Sequence, residues 1–191
     1  MSLLRDGVEV SHWIGSASVS KAEELLVNID AMLKSARVSK HQINMVAVSA
    51  GPGSFTGIRI GLATALGLKN GLGIEMSSVS ALTAMAAAAD LQGTVIVAVP
   101  AGRNAICVQE FKSVGDLLAV SNPQTVAEEA FADTLYTSVG IHFVLHGSLC
   151  TSLDVSISST NAGVNIAQSI GQYCSDQPAT IAEPLFISKS F

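Results

Sequence analysis

The chain has 191 residues, of which 49% are apolar and only 13% charged, and its 10 Lys/Arg against 15 Asp/Glu give a formal net charge of −5. That length buries a sizeable core in one large domain or two small lobes, and so low a charge content predicts that another subunit covers part of the apolar surface. Residues 1–112 carry nine Lys/Arg and eight Asp/Glu, whereas 113–188 carry seven acids and no basic residue, which excludes the second half as a holder of a phosphate backbone.

The first predicted element is a strand over Val8–Ile14, followed by a small polar turn through Gly15–Ser18. Ser20 with Glu23 three residues later forms a capping box, opening an amphipathic helix with Ala22, Leu25, Leu26, Ile29, Leu33 and Ala36 on one stripe. Met45–Ser49 is a short buried strand, which Gly51, Pro52 and Gly53 break before a helix starts at Ser54. In that helix Ile58, Leu62, Leu66 and Leu68 supply bulk, while Gly57, Gly61 and Ala65 recur every four residues as a smooth strip. A helix with so little polar face is expected to be covered on two sides, by its sheet and by another helix.

A strand over Ile74–Val79, a helix over Ser80–Ala89 and a strand over Thr94–Val99 come next. Pro100–Asn104 is a turn, and Ala105–Phe111 pairs back onto Val95–Val99 as a hairpin. Asn122 and Pro123 open a helix to about Leu135, Ile141–His146 is a strand and Asn161–Tyr173 a helix. This order predicts an α/β layered fold, divided into a first lobe over 1–92, with the glycine loop, and a second, acidic lobe over 93–191.

Sequences that would carry chemistry are sparse. A glycine turn at a strand-to-helix junction presents backbone N–H groups to an anion, which makes Gly51, Gly53, Ser54, Thr56 and Arg59 weak anion or nucleotide candidates. The loop nevertheless lacks the Gly-Lys-Ser/Thr ending of a P-loop, and one extra residue before Gly57 departs from the dinucleotide fingerprint. Ser54 is not in G-x-S-x-G and reads as a structural hydroxyl. His142 and His146 have the i, i+4 spacing of a zinc helix, but Phe143, Val144 and Leu145 between them are strand formers, and residues four apart on a strand lie about 13 Å apart, so no metal site is assigned. Cys107, Cys150 and Cys174 are odd in number and outside any C-x-x-C, as in a reduced, cytoplasmic protein. The uncharged spans 134–153 and 155–175 are too rich in Ser, Thr, Asn, Gln, His and Gly to cross a membrane, and no N-terminal targeting segment is visible.

The string GPGSFTGIRIGLATALGLKNGLGIEMSSVSAL, Gly51 to Leu82, resembles the signature region of the TsaB (YeaZ) family in the actin-like ATPase superfamily. Leu4–Gly7 with the helix from Lys21 resembles the family's second strand and first helix, and Glu183–Ser188 (EPLFIS) its C-terminal Pro-Leu-Tyr-like segment. Family members begin with a strand carrying an Asp-Thr-Ser-like turn; by this resemblance Met1 falls where the family's second strand would begin. Where the family often has an Asp-Ala-Arg run, this chain reads Pro100, Ala101, Gly102.

The resemblance implies a two-lobed actin-like (ribonuclease H-like) fold and a non-catalytic subunit, without catalytic residues or cofactor, in the modification of tRNA position 37 to N6-threonylcarbamoyladenosine. Its implied partners are a TsaD-like transferase, engaged through the first two helices, and a TsaE-like ATPase. The interface would use Leu25, Leu26, Ile29 and Leu33 of the first helix and Gly57, Ile58, Gly61, Leu62, Ala65 and Leu66 of the second. Alone the chain would pair with itself, and tRNA would be held only indirectly. Two other readings compete: a nucleotide-binding phosphotransferase of the same superfamily, for which a magnesium-holding carboxylate is missing at Pro100, and a homodimeric interaction protein of unrelated role.

Overall fold

The structure, a computed structural model, describes residues 1–15, 21–102, 104–153 and 165–179. The capping box of Ser20 with Glu23 and the segment Glu183–Ser188 lie outside the described residues.

Strands β1 (Ser2–Arg5) and β2 (Val8–His12) form an antiparallel hairpin. Helix α1 (Lys21–Ser35) follows, ending near the predicted Ala36. Strand β3 (Met45–Ser49) pairs in parallel with β4 (Glu75–Val79), joined by helix α2 (Phe55–Leu72). Gly73, in the left-handed region at φ 66°, stops α2, and its N–H donates to the Lys69 carbonyl. Helix α3 (Ala81–Ala89) then leads into a five-stranded sheet of β5 (Gly93–Pro100), β6 (Ala105–Val114), β7 (Asp116–Ala119), β8 (Gln124–Ala127) and β9 (Ile141–Leu145), in which β7 and β8 both pair with β6 and β9 runs parallel to β5. Helices α4 (Glu128–Thr137), α5 (Gly147–Ser152) and α6 (Ile166–Ser175) complete the described chain.

The five-stranded sheet is buried on both faces, which is why its strands alternate between two clusters rather than between core and water. Val95, Val97 and Val99 of β5, with Cys107 and Phe111 of β6 and Val144 of β9, meet Leu82, Met85, Ala86 and Ala89 of α3. Ala98, Ile106, Phe143 and Leu145 face the other way, onto Phe131 and Leu135 of α4 and Leu149 of α5. There Phe131 and Phe143 meet edge to face, 6.1 Å between ring centroids at 79°. Burial pushes the Cys107 thiol up to about 11, so it stays a neutral, packed side chain.

The hairpin expected from Val95–Val99 and Ala105–Phe111 is present, with Val95 opposite Phe111 and Val99 opposite Cys107. The helix expected from Asn122 and Pro123 is corrected. Gln124–Ala127 is a strand, with Thr125 opposite Cys107 and Val126 opposite Ile106, and the helix begins only at Glu128. Thr125 and Val126 are β-branched and find an open edge on β6, while Glu128 and Glu129 favour the positive end of a helix. Of the helix expected over Asn161–Tyr173, residues 161–164 lie outside the described residues; the described helix runs Ile166–Ser175, and the Asn165 side chain caps it by accepting from the Gln168 N–H at 3.3 Å.

Helix α6 brings the chain back to its first half, packing on β1, β3, β4 and α3. Two polar contacts join the hairpin to it: Gln172 Nε2 donates to the Gly7 carbonyl at 3.0 Å and Asn165 Nδ2 to Glu9 at 2.8 Å. Between them, a Cβ on Gly171 would overlap the Leu4 side chain. Gly171→Val will therefore cost about 1–3 kcal/mol of stability by overpacking. In a denaturant double-mutant cycle, Leu4→Ala will recover at least about half of that cost by removing the clashing atoms.

Candidate partner-binding face and glycine loop

The loop after β3 is built on two serines. Ser49 Oγ accepts from the Gly51 N–H at 3.1 Å, and Ser54 Oγ caps α2 by accepting from the Gly57 N–H at 3.1 Å. Gly51 sits at φ 110°, which L side chains rarely adopt, and its peptide bond to Pro52 is cis. Its carbonyl accepts from the Ala81 N–H at 2.7 Å, and the Ala50 N–H donates to the Val79 carbonyl at 2.9 Å. The loop is thus tied to the end of β4 and the start of α3. Two of the loop donors that an anion would want are already engaged by hydroxyls. The Arg59 guanidinium lies 3.6 Å from the centroid of the Phe55 ring, one turn back on the same helix. Thr56 is exposed in the first turn of α2.

Helix α2 covers β3 and β4, and α1 lies against α2 and β2. The candidate interface residues divide between these two tasks. Ile58 and Ala65 are buried, and Gly61 faces β3, where a Cβ would stand 3.5 Å from Val48 Cγ2. Leu25, Ile29, Leu33 and Leu62 are half-buried, whereas Gly57 is exposed. Leu26 and Leu66 are exposed at 58% and 49%. Two apolar side chains outside the sequence candidates join them on these helices, Val27 at 69% and Phe55 at 51%. Val27 escaped notice because it lies beside the stripe of α1, and Phe55 because it precedes the recurring apolar positions of α2. Leu26, Val27, Phe55 and Leu66 are thus four exposed large apolar side chains on two helices that touch each other.

Away from this face, His142 lies on strand β9 and His146 just beyond it, as the strand formers predicted. Among the described residues, no three His, Cys, Asp or Glu side chains stand close enough to share a metal ion. His146 caps α5, its Nδ1 accepting from the Ser148 N–H at 3.2 Å, and burial holds its pKa below the ordinary 6.5. The folded state therefore resists the proton that the unfolded chain accepts. His146 leaves stability unchanged well above pH 6.5 and lowers it as pH falls from 6.5 toward the depressed folded value. His146→Asn, which keeps a capping side chain, will flatten that part of the pH–stability curve in urea titrations.

Among the described residues no helix is long and apolar enough to cross a membrane. The family model for TsaD, tRNA N6-adenosine threonylcarbamoyltransferase, matches residues 16–170. The tRNA threonylcarbamoyladenosine biosynthesis protein TsaB of Haemophilus influenzae is 37% identical over 81 residues, 42% of this chain and 34% of that protein. TsaB of Escherichia coli is 41% identical over 64 residues, 34% of this chain and 28% of that protein. The chain thus spans about a third of the length of the curated relatives it matches. A Pseudomonas aeruginosa structure described as similar to peptidase YEAZ superposes with a TM-score of 0.69 at 18% identity, covering 98% of this chain and 93% of its own. YeaZ from Pseudomonas aeruginosa superposes at 0.65 and 19%, covering 92% and 85%. The fold is that of the actin-like, ribonuclease H-like proteins.

Proposed function

Given that the chain belongs to the TsaD family of domains and, within it, to the TsaB (YeaZ) group, we propose that it is a non-catalytic subunit of the machinery that makes N6-threonylcarbamoyladenosine at position 37 of tRNA. Its task is to lend a helical face to a TsaD-like transferase and so stabilise or activate it, with a TsaE-like ATPase as a third component.

The observation that carries this reading is the apolar surface of α1 and α2, where Leu26, Val27 and Leu66 stand exposed on helices that already cover their own sheet. Burying such side chains against a partner contributes about 25 cal/mol per Å² before association costs are subtracted. The acidic stretch 113–188 supports leaving the tRNA to the partner, since it would repel a phosphate backbone. Without its partner the chain covers the same face with a second copy, and it works in the cytoplasm.

Reconstitution tests the role. Unmodified tRNA incubated with a TsaD-like protein, a TsaE-like protein, ATP and the threonylcarbamoyl donor should gain the modified nucleoside, measured by mass spectrometry of digested tRNA, only when this chain is added. Modification by this chain without the TsaD-like protein would make it the enzyme and end the subunit reading.

A further inference from the structure

We infer that the loop between α1 and β3 is a phosphate-binding edge, on which Arg37 and Lys40 hold the backbone of the tRNA while the partner does the chemistry. This deepens the subunit reading and rests on it for the choice of RNA. Between Asp30 and Glu75 the sequence holds no acid, yet it holds Lys34, Arg37, Lys40, Arg59 and Lys69 as well as His41. The chain as a whole is acidic, at −5, so cations gathered in this way set one part of it apart as attractive to a polyanion. Lys34, Arg37, Lys40 and His41 fall close together and are all exposed. Lys34 already has a partner, its Nζ lying 2.5 Å from Asp30. Among the described residues, Arg37, Lys40 and His41 have no carboxylate in ion-pair reach.

The backbone singles out Arg37. Helix α1 closes with two bonds, the Val38 N–H donating to the Leu33 carbonyl at 2.9 Å and the Arg37 N–H to the Lys34 carbonyl at 3.0 Å. That closure needs a left-handed residue between them, for which glycine is the usual choice, and Arg37 supplies it at φ 56°. Among the described residues, the other non-glycine residues at positive φ are Asp6, Asp90 and Asn104, whose short polar side chains tolerate that conformation. An arginine has no such compensation. The helix dipole favours a cation in the last turn, where Lys34 already stands, and it does not demand one at the position that suits glycine. Strain kept at a defined residue points to a use for its side chain.

The rest of the loop is held in one shape. The Ser39 N–H donates to Gln42 Oε1 at 2.8 Å and the His41 N–H to Ser39 Oγ at 3.4 Å, which fixes a short 3-10 turn over Lys40–Gln42. Arg37 and Lys40 therefore project from a backbone that need not be ordered on binding, which lowers the cost of association. A guanidinium gives phosphate two parallel N–H donors, and a lysine gives it a compact charge. Neither reads a base edge here, so this edge positions the RNA and leaves its sequence to the partner. The acid that the ladder brings to this end is Glu75, whose N–H donates to the Asn44 carbonyl, and Lys69 in the last turn of α2 offsets it.

Fluorescence anisotropy of labelled tRNA tests this, titrated between about 50 and 200 mM salt with the chain mixed with the TsaD-like protein and with the chain alone. The variant Arg37→Gly with Lys40→Gln removes both charges and places the usual residue at the left-handed position, so its melting temperature will be unchanged or higher. Its tRNA affinity will fall by at least about fivefold, and the slope of log K against log salt will shrink by about 2. The control Arg5→Gln with Lys112→Gln removes two exposed cations elsewhere and will keep the affinity within about twofold. Unchanged affinity and slope in the loop variant, or an equal loss in the control, would overturn the inference and leave the subunit reading standing if light scattering shows the two proteins paired. If they do not pair, the subunit reading falls, and the same comparison on the chain alone decides whether the loop holds RNA.

Discussion

Replacing Leu26 and Leu66 together by glutamate will leave the fold intact and weaken binding to the proposed TsaD-like partner by at least about 100-fold. Both side chains are mostly or half exposed in the single chain, at 58% and 49%, so a charge at either position costs the isolated protein little. In the proposed complex the same positions become desolvated. Each substitution then removes a buried leucine, worth about 1.5–3 kcal/mol, and adds a carboxylate that must be stripped of water. A central pair of this kind behaves as a hot spot, each position costing about 2 kcal/mol or more. Calorimetric titration reads the affinity, and an unchanged thermal melt shows that the variant is folded. Unaltered affinity would move the interface away from α1 and α2. The companion pair Leu25→Glu and Leu62→Glu tests the same helices less cleanly, because both residues are already half-buried within the chain.

Phe111→Ala will be the most damaging single truncation among the core positions, at about 3–5 kcal/mol. Phe111 is 1% exposed and is the largest of the fully buried side chains. It stands opposite Val95 in the register of β5 and β6 and shares a cluster with Leu82 and Met85 of α3. Truncation leaves a cavity between a sheet and a helix that are each fixed by other contacts, so collapse is limited. For a chain of this length the melting temperature will fall by about 6–20 °C. The matched control is Phe55→Ala, half-exposed on α2, which will cost less than about 1 kcal/mol. If the two truncations cost the same, the core assignment is wrong.

What the sequence revealed follows where local and long-range forces agree. The strand Met45–Ser49 and the break at Gly51–Gly53 were legible because an apolar run, three glycines and a proline allow few alternatives. The hairpin of β5 and β6 was legible down to its pairing, since alternating apolar residues flank a short Pro-Ala-Gly turn. Strands β7 and β8 were not. Each is four residues long and carries no pattern of its own, existing because β6 is long enough to offer an edge on which Lys112 meets Leu118 and Ile106 meets Val126. Tertiary pairing there overrides local preference. Helix α5 was hidden for a related reason: it is six residues, capped by a histidine whose role is visible only once Ser148 is in place.

The candidate site shows the same division. Ser54 as a helix cap was readable from its place before an apolar-periodic run. The partition of α2 between its own sheet and open solvent was not, because a small residue such as Gly61 serves close packing on β3 as well as it would serve a partner helix. Periodicity marks an apolar helix, but only the position of the sheet says which side is left over.

The central claim, that this chain works by lending α1 and α2 to a TsaD-like subunit, is tested most directly by light scattering coupled to size-exclusion chromatography of the purified chain, alone and mixed with the TsaD-like protein of the same organism. The account predicts a homodimer alone that gives way to a one-to-one heterodimer in the mixture. A homodimer that keeps its mass and elutes apart from the TsaD-like protein would contradict it.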